Sequence, residues 1–341
     1  MLTADMRSIK VFDKKIGLNE PVFIIGEVGV NHIGNMNIAR KLIDIGVSAK
    51  VDALKFQAYR TERLISADDP YWRERLKPKE LSFHDIGKLK EKCVNKNIPF
   101  ICTAHEEESA DFLESIGVEV FKIGSGEVAN LPFLRYIAKK GKPIILSTGM
   151  YTLSDIEKAI KAIVSTGNEN IVLLHCVTNY PTKPEEVNLK FINTLARTFG
   201  FPVGYSDHTV GFEIPLAAVS LGAVMLEKHI TLDHNMKGSA DHQVSCEPDE
   251  LISMVESIRK VECALGDGIK RLNIAEIENK KIFRKSVVAA RTVKAGAIIK
   301  EEDLCLKRPG TGIKPELLPL LVGKVARQDI EKDSLIDWEA L

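Results

Sequence analysis

Short apolar runs alternate with longer amphipathic segments along most of the chain. The runs have the length of buried strands and cover residues 22–26, 53–57, 99–103, 118–123, 143–147, 171–176, 203–205 and 223–228. The segments between them repeat apolar residues with a helical period, at 37–49, 84–96, 107–116, 131–140, 154–165, 188–198 and 214–221. Eight buried strands alternating with helices predict an α/β fold, a closed (β/α)8 TIM barrel, completed by a helix at 248–265.

The pattern changes towards the carboxyl terminus. Residues 269–285 are rich in charge and indicate a linker, and from Ser286 onwards short β-like runs alternate with turns such as RPGTGIKP. The sequence therefore predicts a barrel domain at 1–268, a linker at 269–285 and a small β-rich domain at 286–341. An open, nucleotide-binding sheet is less consistent with the pattern, because no G-x-G-x-x-G or Walker sequence follows the first strand.

Nearly every predicted strand ends in a side chain that can take part in chemistry. In a (β/α)8 barrel the carboxyl ends of the strands meet at one mouth, where active sites are built. Solvated loop residues are the alternative, but polar groups at all eight strand ends favour a site. The candidates are Glu27, Lys55, Gln57, Thr103, Lys122, Ser125, Ser147, Tyr180, Ser206, His208 and His229.

Two neighbouring strands each deliver a histidine, in the segments SDH at 206–208 and EKH at 227–229. A strand–helix–strand unit of this length is a parallel crossover, so both histidines should emerge on the same side of one sheet. Two imidazoles at one rim can share a divalent metal ion, since Mn²⁺ accepts nitrogen together with oxygen ligands. The alternative for each histidine is a hydrogen bond to a nearby carbonyl group.

Lys55 and Lys122 are cations inside otherwise apolar strands, ALKFQ and VFKIGSGE. Burying an unpaired cation is costly, so we expect an anionic partner beside them. The small residues 124–126 let backbone N–H groups approach an anion, and Ser147 with the following Thr-Gly repeats that chemistry on the next strand. An anion site next to a divalent metal suggests a phosphorylated small substrate and Lewis-acid catalysis.

Composition narrows the class of partner. The chain has 47 basic and 47 acidic residues and a pI near 7.1, which argues against nucleic acid or a membrane surface as a partner. Its six cysteines are scattered without C-x-x-C spacing, a pattern typical of a reduced, cytoplasmic protein. No secretory signal is visible at the amino terminus, and no apolar run is long enough to span a bilayer.

Seven motifs give the chain a family resemblance that runs essentially from end to end. They are GEVGVNHIGN at 26–35, LKFQ at 54–57, FKIGSGE at 121–127, ILSTGM at 145–150, GYSDHT at 204–209, EKHITLD at 227–233 and KRPGTG at 307–312. In this order they resemble the sialic acid synthase family, the bacterial N-acetylneuraminate synthases. The resemblance implies a (β/α)8 barrel joined to a small antifreeze-protein-like (SAF) domain. The activity that it implies condenses phosphoenolpyruvate with N-acetylmannosamine and water and releases phosphate.

The resemblance also implies a role for each candidate residue. His208 and His229 would bind a divalent ion, usually Mn²⁺, with Mg²⁺ or Co²⁺ as alternatives. Phosphoenolpyruvate would be held by Lys55, Lys122, Ser125, Ser147 and Ser206, with Thr103 as a further substrate contact. The sugar and the reacting atoms would be surrounded by Glu27, Gln57, Tyr180 and Asp241. Arg308, from the small domain of the partner in a domain-swapped homodimer, would contact the N-acyl group of the sugar.

Two departures from the family pattern leave contacts open. Thr178 stands where some relatives carry an asparagine, with Asn179 one residue further on. The loop KGSADH, which carries Asp241, is one residue longer than in some relatives. Either change affects a residue expected near the sugar.

Alternatives from two classes remain open at this point. Among enzymes, synthases of legionaminic acid, pseudaminic acid or a 9-phosphorylated product would share the barrel and the metal and differ in a few sugar-facing residues. An aldolase with a Schiff base at Lys122 is a more distant alternative. The small domain could instead mark a non-catalytic carbohydrate-binding or ice-binding protein, against which the set of strand-end residues argues.

Overall fold

The structure is a computed structural model that describes residues 7–341. Two compact units divide the chain, with the boundary between Gly266 and Asp267. The first unit contains a closed barrel of parallel strands, and the second contains a small antiparallel sheet. The fold class predicted from the apolar pattern is thus confirmed.

Eight parallel strands form the barrel of the first unit, after a short antiparallel hairpin. The hairpin strands are β1 (Ile9–Val11) and β2 (Lys14–Ile16). The barrel strands are β3 (Phe23–Gly29), β4 (Ala53–Ala58), β5 (Phe100–Ala104), β6 (Phe121–Ile123), β7 (Ile144–Ser147), β8 (Ile171–Cys176), β9 (Val203–Asp207) and β10 (Met225–His229). Consecutive strands are neighbours, and β10 pairs with β3 to close the ring.

Helices follow every barrel strand and cover its outer face. They are α1 (Met36–Ser48), α2 (Thr61–Leu64), α3 (Pro70–Leu76), α4 (Phe83–Asn95), α5 (Glu107–Ser115), α6 (Leu131–Ala138), α7 (Leu153–Val164), α8 (Phe191–Phe199), α9 (Glu213–Ser220) and α10 (Pro248–Leu265). Short 3-10 turns lie at Lys77–Lys79, Ser125–Glu127, Pro184–Glu186 and Ala240–Val244. No helix within residues 7–341 has both the length and the apolar character needed to cross a membrane.

Local sequence signals start and end these helices. Thr152 and Asp155 form a reciprocal capping box at the start of α7, which satisfies backbone N–H groups that the helix itself leaves free. Gly200 ends α8 with a φ of 71°, a left-handed conformation that glycine adopts at little cost.

The two-residue period of the strands builds two layers inside the barrel. The layer nearer the amino ends of the strands is apolar and buried, and contains Ile25, Ala53, Ile101, Ile145 and Met225. Hairpin residues Ile9, Val11 and Ile16 pack against it and plug that end of the barrel. Residues two positions further along a strand lie on the same face, so the next layer consists of Glu27, Lys55, Thr103, Ser147 and Glu227. A polar layer therefore lies directly on an apolar floor.

Strand limits differ from the predicted ones where polar residues occur. β3 runs to Gly29 and β9 to Asp207, beyond the predicted ends at 26 and 205. Backbone pairing continues although the side chains have become polar, because the ladder does not depend on side-chain type. β6 is shorter than predicted and starts at Phe121.

The second unit contains helix α11 (Ile274–Phe283) and a two-stranded sheet of β11 (Ser286–Ala289) and β12 (Leu304–Lys307). Further 3-10 turns lie at Glu301–Asp303 and Pro315–Leu320. Its buried core includes Val287, Ala289, Ile299, Leu321 and Ile336. The stretch predicted as a linker thus contains a helix, which Asn273 and Glu276 start with a capping box.

Candidate active site

The carboxyl ends of the barrel strands surround a cavity of about 170 Å³. Every strand contributes at least one polar side chain to its wall, either from the strand itself or from the residues that follow it. The cavity brings together all candidates from the sequence except Asp241 and Arg308: Glu27, Lys55, Gln57, Thr103, Lys122, Ser125, Ser147, Tyr180, Ser206, His208 and His229.

Two lysines and two glutamates form a buried ionic network in this cavity. Lys55 Nζ lies 2.9 Å from Glu27 Oε1 and 3.4 Å from Glu227 Oε1. Lys122 Nζ lies 3.7 Å from Glu227 Oε2. None of the four side chains is more than 5% exposed. The anionic partners expected for the two lysines are therefore carboxylates of the protein itself.

The same network gives the two carboxyl groups different protonation behaviour. Burial alone would raise the pKa of Glu227, but Lys122 and Lys55 together outweigh it and lower that pKa to about 2. For Glu27 burial dominates, Lys55 offsets it only in part, and the pKa is raised above its usual range. Glu227 therefore stays ionised at neutral pH, whereas Glu27 is the carboxyl group better able to hold a proton.

Hydroxyl groups lie beside the lysines. Lys122 Nζ donates to Ser147 Oγ at 2.8 Å, and Lys55 Nζ donates to Thr103 Oγ1 at 3.2 Å. These four side chains come from the neighbouring strands β4, β5, β6 and β7. Cations and hydroxyl groups in a buried cavity are suited to hold a small anion.

The two glycine-bearing turns of the sequence meet at Ser125. Its Oγ accepts a hydrogen bond from the Gly149 N–H at 3.0 Å. A Cβ atom at Gly149 would lie 2.8 Å from that oxygen and 2.2 Å from Thr178 Oγ1, so only glycine fits there without displacing the wall of the cavity. This close approach fixes the Ser125 hydroxyl at the edge of the lysine cluster.

His208 and His229 face each other, with ring centroids 5.5 Å apart. His208 Nδ1 lies 2.7 Å from the carbonyl oxygen of Val177, and because a carbonyl only accepts, Nδ1 carries a proton. Burial favours the neutral ring, but Cys176 and this carbonyl together raise the pKa of His208, so Nε2 offers a lone pair in the neutral form of the ring. Burial lowers the pKa of His229 to about 3, so this imidazole is neutral. Among the described residues, its buried Nδ1 has no hydrogen-bond partner.

Two imidazoles with available lone pairs fit a divalent ion. Residues 7–341 contain no group of three or more His, Cys, Asp or Glu side chains arranged to hold an ion by themselves. An ion here would therefore take two nitrogen ligands from the protein and the rest from water or substrate. The alternative, that each histidine only satisfies a carbonyl group, applies to Nδ1 of His208 and leaves its other nitrogen unassigned.

Tyr180 contacts the two histidines, and Gln57 contacts Glu27. The Tyr180 ring lies over that of His208, with centroids 4.0 Å apart, and meets His229 edge-on at 5.9 Å. Its side chain remains 37% exposed, so it forms part of the rim of the cavity. Gln57 Nε2 donates to Glu27 Oε1 at 3.0 Å and so orients the carboxyl group with the raised pKa.

The KGSADH loop brings Asp241 to the same rim. Asp241 Oδ2 lies 3.7 Å from His229 Nδ1. Asn31 Nδ2 donates to Ser245 Oγ at 2.8 Å, and that hydroxyl donates to the Asp241 carbonyl oxygen at 2.6 Å. The longer loop thus still presents its carboxylate beside the histidines.

Three more residues that the sequence placed near the sugar, or left undecided, lie in different parts of the structure. Thr178 lines the cavity, whereas Asn179 is exposed and donates to Glu186 Oε2 at 3.3 Å. Arg308 lies in the second unit, where its Nε donates to the carbonyl oxygen of Phe283 at 3.1 Å. Its guanidinium carbon lies 5.1 Å from the centroid of that residue's ring.

Three further residues line the cavity although the sequence analysis assigned them no role in the site: Glu227, His105 and Cys176. Glu227 pairs with both lysines, and its position two residues before His229 on an inward-facing strand could have identified it. His105 follows β5, and burial, with the nearby Lys55 and Lys122, lowers its pKa to about 4. Its sequence context, HEEES, indicates only the start of a helix, so no pattern singled it out.

Comparison with known proteins identifies the family. The NeuB family matches residues 42–270, and the SAF domain matches residues 284–341. The chain is 43% identical over 331 residues to the N,N′-diacetyllegionaminic acid synthase of Campylobacter jejuni. This match covers 92% of this chain and 98% of the relative. The chain is 36% identical over 335 residues to the N-acetylneuraminate-9-phosphate synthase of Homo sapiens, covering 94% and 93%.

A solved structure agrees with these matches. The N-acetylneuraminic acid (sialic acid) synthetase of Leptospira borgpetersenii, solved in complex with citrate, superposes with a TM-score of 0.76 at 38% identity. The match covers 80% of this chain and 95% of that one. The protein therefore belongs to the NeuB family, the sialic acid synthases, and is a phosphoenolpyruvate-dependent transferase with a carboxyl-terminal SAF domain.

Proposed function

We propose that the protein condenses phosphoenolpyruvate with an N-acylated aminosugar and water, forming a nonulosonic acid and inorganic phosphate. The observation that carries the proposal is the division of the cavity. Strands β4–β7 supply two lysines with hydroxyl groups beside them, and strands β9 and β10 lead to two histidines. The first set suits the phosphate and carboxylate of phosphoenolpyruvate, and the second suits a carbonyl compound that needs activation.

Binding of phosphoenolpyruvate would use contacts that the protein now makes with itself. Lys122 and Lys55 would turn from Glu227 and Glu27 towards the substrate, with Ser125, Ser147, Thr103 and Ser206 donating to its oxygens. Glu227 remains ionised beside both lysines and keeps their charge in place before the substrate arrives. Charge-assisted contacts of this kind are about twice as strong as neutral hydrogen bonds.

The chemistry can then be written with every bond accounted for. C3 of phosphoenolpyruvate uses the electron pair of its C2=C3 double bond to form a bond to the aldehyde carbon of the open-chain sugar, and the aldehyde oxygen takes up a proton to become a hydroxyl. Water adds to the electron-poor C2 and loses a proton, which gives a tetrahedral intermediate. Phosphate then leaves C2 with the electrons of the C–O bond, while the C2 hydroxyl loses its proton and becomes the keto group of the product. Glu27 is our assignment for the proton donor, since its pKa is raised and its Oε2 has no partner among the described residues.

A divalent ion, Mn²⁺ first and Mg²⁺ or Co²⁺ as alternatives, would be held by His208 and His229. When bound, it would supply Lewis-acid activation of the sugar aldehyde. The lone pair of His208 Nε2 and the unpartnered Nδ1 of His229 support this assignment. The residues Tyr180, Gln57 and Asp241, which lie around the histidines and Glu27, would contact the sugar.

Two aminosugars are our candidates for the second substrate. Our first candidate is N-acetylmannosamine, which the family resemblance implies and which would make N-acetylneuraminate the product. The second is a 2,4-diacetamido sugar, which would make the product N,N′-diacetyllegionaminic acid. The second candidate is supported by 43% identity to the synthase named for that product, against 38% to the synthetase named for N-acetylneuraminic acid.

Arg308 and the assembly belong to the same proposal. We propose a domain-swapped homodimer in which Arg308 of one subunit contacts the N-acyl group of the sugar in the barrel of the other. Support comes from helix α11, where Ile274 is 83% exposed and Phe283 is 54% exposed, since such apolar positions gain from contact with a second chain. All six cysteines are free thiols, in keeping with a reducing, cytoplasmic location.

Phosphate release across a panel of aminosugars tests the function. Protein stripped with EDTA should show no turnover, and Mn²⁺ should restore it with one sugar among N-acetylmannosamine, its 6-phosphate and the 2,4-diacetamido sugars. His208→Ala should stay inactive at any Mn²⁺ concentration. Full activity in metal-free protein would refute the metal assignment, and absence of phosphate release with every sugar would refute the proposed reaction.

A further inference from the structure

A buried ion pair lies immediately outside the cavity, next to both histidines. Lys228 Nζ donates to Asp207 Oδ2 at 2.6 Å, and each side chain is only 1% exposed. Neither residue belongs to the wall of the cavity. The proposed reaction uses neither of them, so their burial needs a separate reason.

Both members of the pair make further hydrogen bonds on the outer side of the barrel wall. Asp207 Oδ1 accepts from Tyr205 Oη at 2.8 Å and from the N–H and hydroxyl groups of Thr209 at 3.1 and 2.9 Å. Lys228 Nζ also donates to the carbonyl oxygen of Thr209 at 2.6 Å. Tyr205 belongs to the apolar core that includes residues of helices α9 and α10, and so the network lies away from the mouth of the barrel.

Strand register places this pair between the functional residues. Asp207 and Lys228 are directly opposite partners of the parallel strands β9 and β10. Successive side chains of a strand point to opposite faces, so the neighbours of each charged residue point into the cavity. These neighbours are Ser206 and His208 on one strand and Glu227 and His229 on the other, and all four line the cavity.

A buried ion pair is a weak device for stability alone. The loss of hydration on burying two charges is large, and apolar residues of similar volume often give equal or greater stability. In some proteins a buried polar or charged group instead fixes the register of neighbouring elements, because it is satisfied only when it meets its partner. Here the register decides how the two imidazoles stand relative to one another.

We propose that Asp207 and Lys228 are positioning residues that lock β9 to β10 and so fix the separation and orientation of His208 and His229. The effect on metal binding rests on the proposed function, in which the two rings are ligands of one ion. The effect on the separation and orientation of the two rings does not depend on that function. Outer residues that orient metal ligands typically account for about 10–100-fold in metal affinity.

The test replaces the pair by neutral residues of similar size in the full-length protein, as Asp207→Asn combined with Lys228→Met. The asparagine keeps an acceptor for Tyr205 and Thr209, so no buried hydroxyl is left without a partner. We expect an unchanged thermal midpoint, Mn²⁺ affinity about 10–100-fold weaker by isothermal titration, and a ring separation in the crystal structure changed by more than about 0.5 Å.

A control uses a less buried ion pair at the opposite end of the barrel, where Arg259 is 34% exposed and Asp52 is 9% exposed. Arg259 Nη2 lies 3.0 Å from Asp52 Oδ2, and neither residue lines the cavity. Asp52→Asn with Arg259→Met removes an ion pair without touching β9 or β10, and should leave Mn²⁺ affinity as in the parent protein. If the first double variant does not fold, Tyr205→Phe removes only one hydrogen bond to Asp207 and should weaken Mn²⁺ binding several-fold.

The outcomes separate this inference from the proposed function. Unchanged ring geometry and unchanged Mn²⁺ affinity in the Asp207/Lys228 or the Tyr205 variant would overturn the positioning role. If the parent protein binds no Mn²⁺ through His208 and His229, the metal assignment fails. The ring geometry of the variants would then still decide whether the pair positions the histidines.

Discussion

Lys122 is the residue at which charge, burial and geometry combine most directly. Its ammonium group is 2% exposed, donates to Ser147 and has Glu227 as its nearest carboxylate. Burial lowers its pKa, and Glu227 acts in the opposite direction. The Glu227 carboxylate favours the charged form of this lysine, which lies next to a hydroxyl group that an incoming anion can share.

Lys122→Met keeps most of the side-chain volume and deletes the charge. We expect kcat/KM for phosphoenolpyruvate to fall at least ~100-fold, about 3 kcal/mol, because the variant cannot form a charge-assisted hydrogen bond to the substrate in a dry site. Lys140→Met is a matched control, because Lys140 is 9% exposed and pairs with Asp111 and Glu114 away from the cavity. Equal kinetics and equal thermal midpoints for Lys122→Met and the parent would leave Lys122 with a structural role.

A second prediction for a single residue concerns His32 and the pH dependence of the free energy of unfolding. It is 1% exposed, and its Nδ1 accepts from the Gly34 N–H at 3.0 Å. Burial, with a smaller effect of Lys79, lowers its pKa from 6.5 to about 4. Between these values the unfolded chain binds a proton that the folded chain does not, so the free energy of unfolding must fall as pH falls from 6.5 to 4.

His32→Gln should flatten that pH dependence, because glutamine stays neutral throughout. Each such histidine contributes a slope of up to ~1.4 kcal/mol per pH unit within the window. Urea titrations at several pH values between neutrality and the lowered pKa measure this slope. The control is His84→Gln, because His84 is exposed. An equal slope in His32→Gln and in the parent protein would contradict the prediction.

Among the secondary-structure elements, the hairpin β1–β2 shows how a short segment can carry stability. Ile9, Val11 and Ile16 are buried against the apolar floor of the barrel. Between them lie exposed or half-buried residues, so the sequence IKVFDKKI has no long apolar run. A plug of this kind seals the end of the barrel remote from the cavity.

Ile16→Ala should therefore lower stability without changing the chemistry. Truncating a fully buried isoleucine costs about 2–5 kcal/mol, depending on how far the site can collapse. Val94→Ala on α4, where the side chain is 59% exposed, should change stability by less than about 0.5 kcal/mol. Unfolding by urea measures both effects, and kcat per folded molecule should match the parent in each. A loss of kcat in Ile16→Ala at full folding would link the plug to the site.

Elements with a strong apolar period were predictable from the sequence, and those defined by tertiary contacts were not. The barrel strands and their helices follow from alternation alone, and the residues at strand ends follow from barrel geometry. Glu227 lies at a predicted strand end, but its role was not predicted, because its pairing with Lys55 and Lys122 depends on how the closed barrel brings distant strands together. Helix α11 was not predicted, because its sequence is rich in charged residues and resembles a linker. None of its side chains is buried in the structure. The hairpin was not predicted, because its strands are only three residues long and are stabilised by packing against the apolar layer of the barrel.

For the whole molecule, the proposed dimer makes a prediction by complementation. Arg308→Ala subunits and His208→Ala subunits should each be nearly inactive as homodimers. In a mixed dimer both lesions fall in the same mouth, so the other mouth is intact and about one working site per dimer should return. Phosphate release before and after subunit exchange measures this recovery. Activity that fails to return despite proven exchange would mean that Arg308 serves its own barrel or none.

The polar layer on its apolar floor has a consequence for how this enzyme can change over generations. Lys55, Thr103 and Ser147 are held by backbone pairing within the barrel and by packed residues beneath, so altering them risks the barrel itself. Tyr180 and Asp241, by contrast, come from connecting segments above the strands. Loops accept substitution and insertion far more readily than packed strands. Under the proposed function, recognition of the anion is built into the part of the molecule that resists mutation, whereas the sugar contacts of Tyr180 and Asp241 could change, or be re-engineered, with little risk to the barrel.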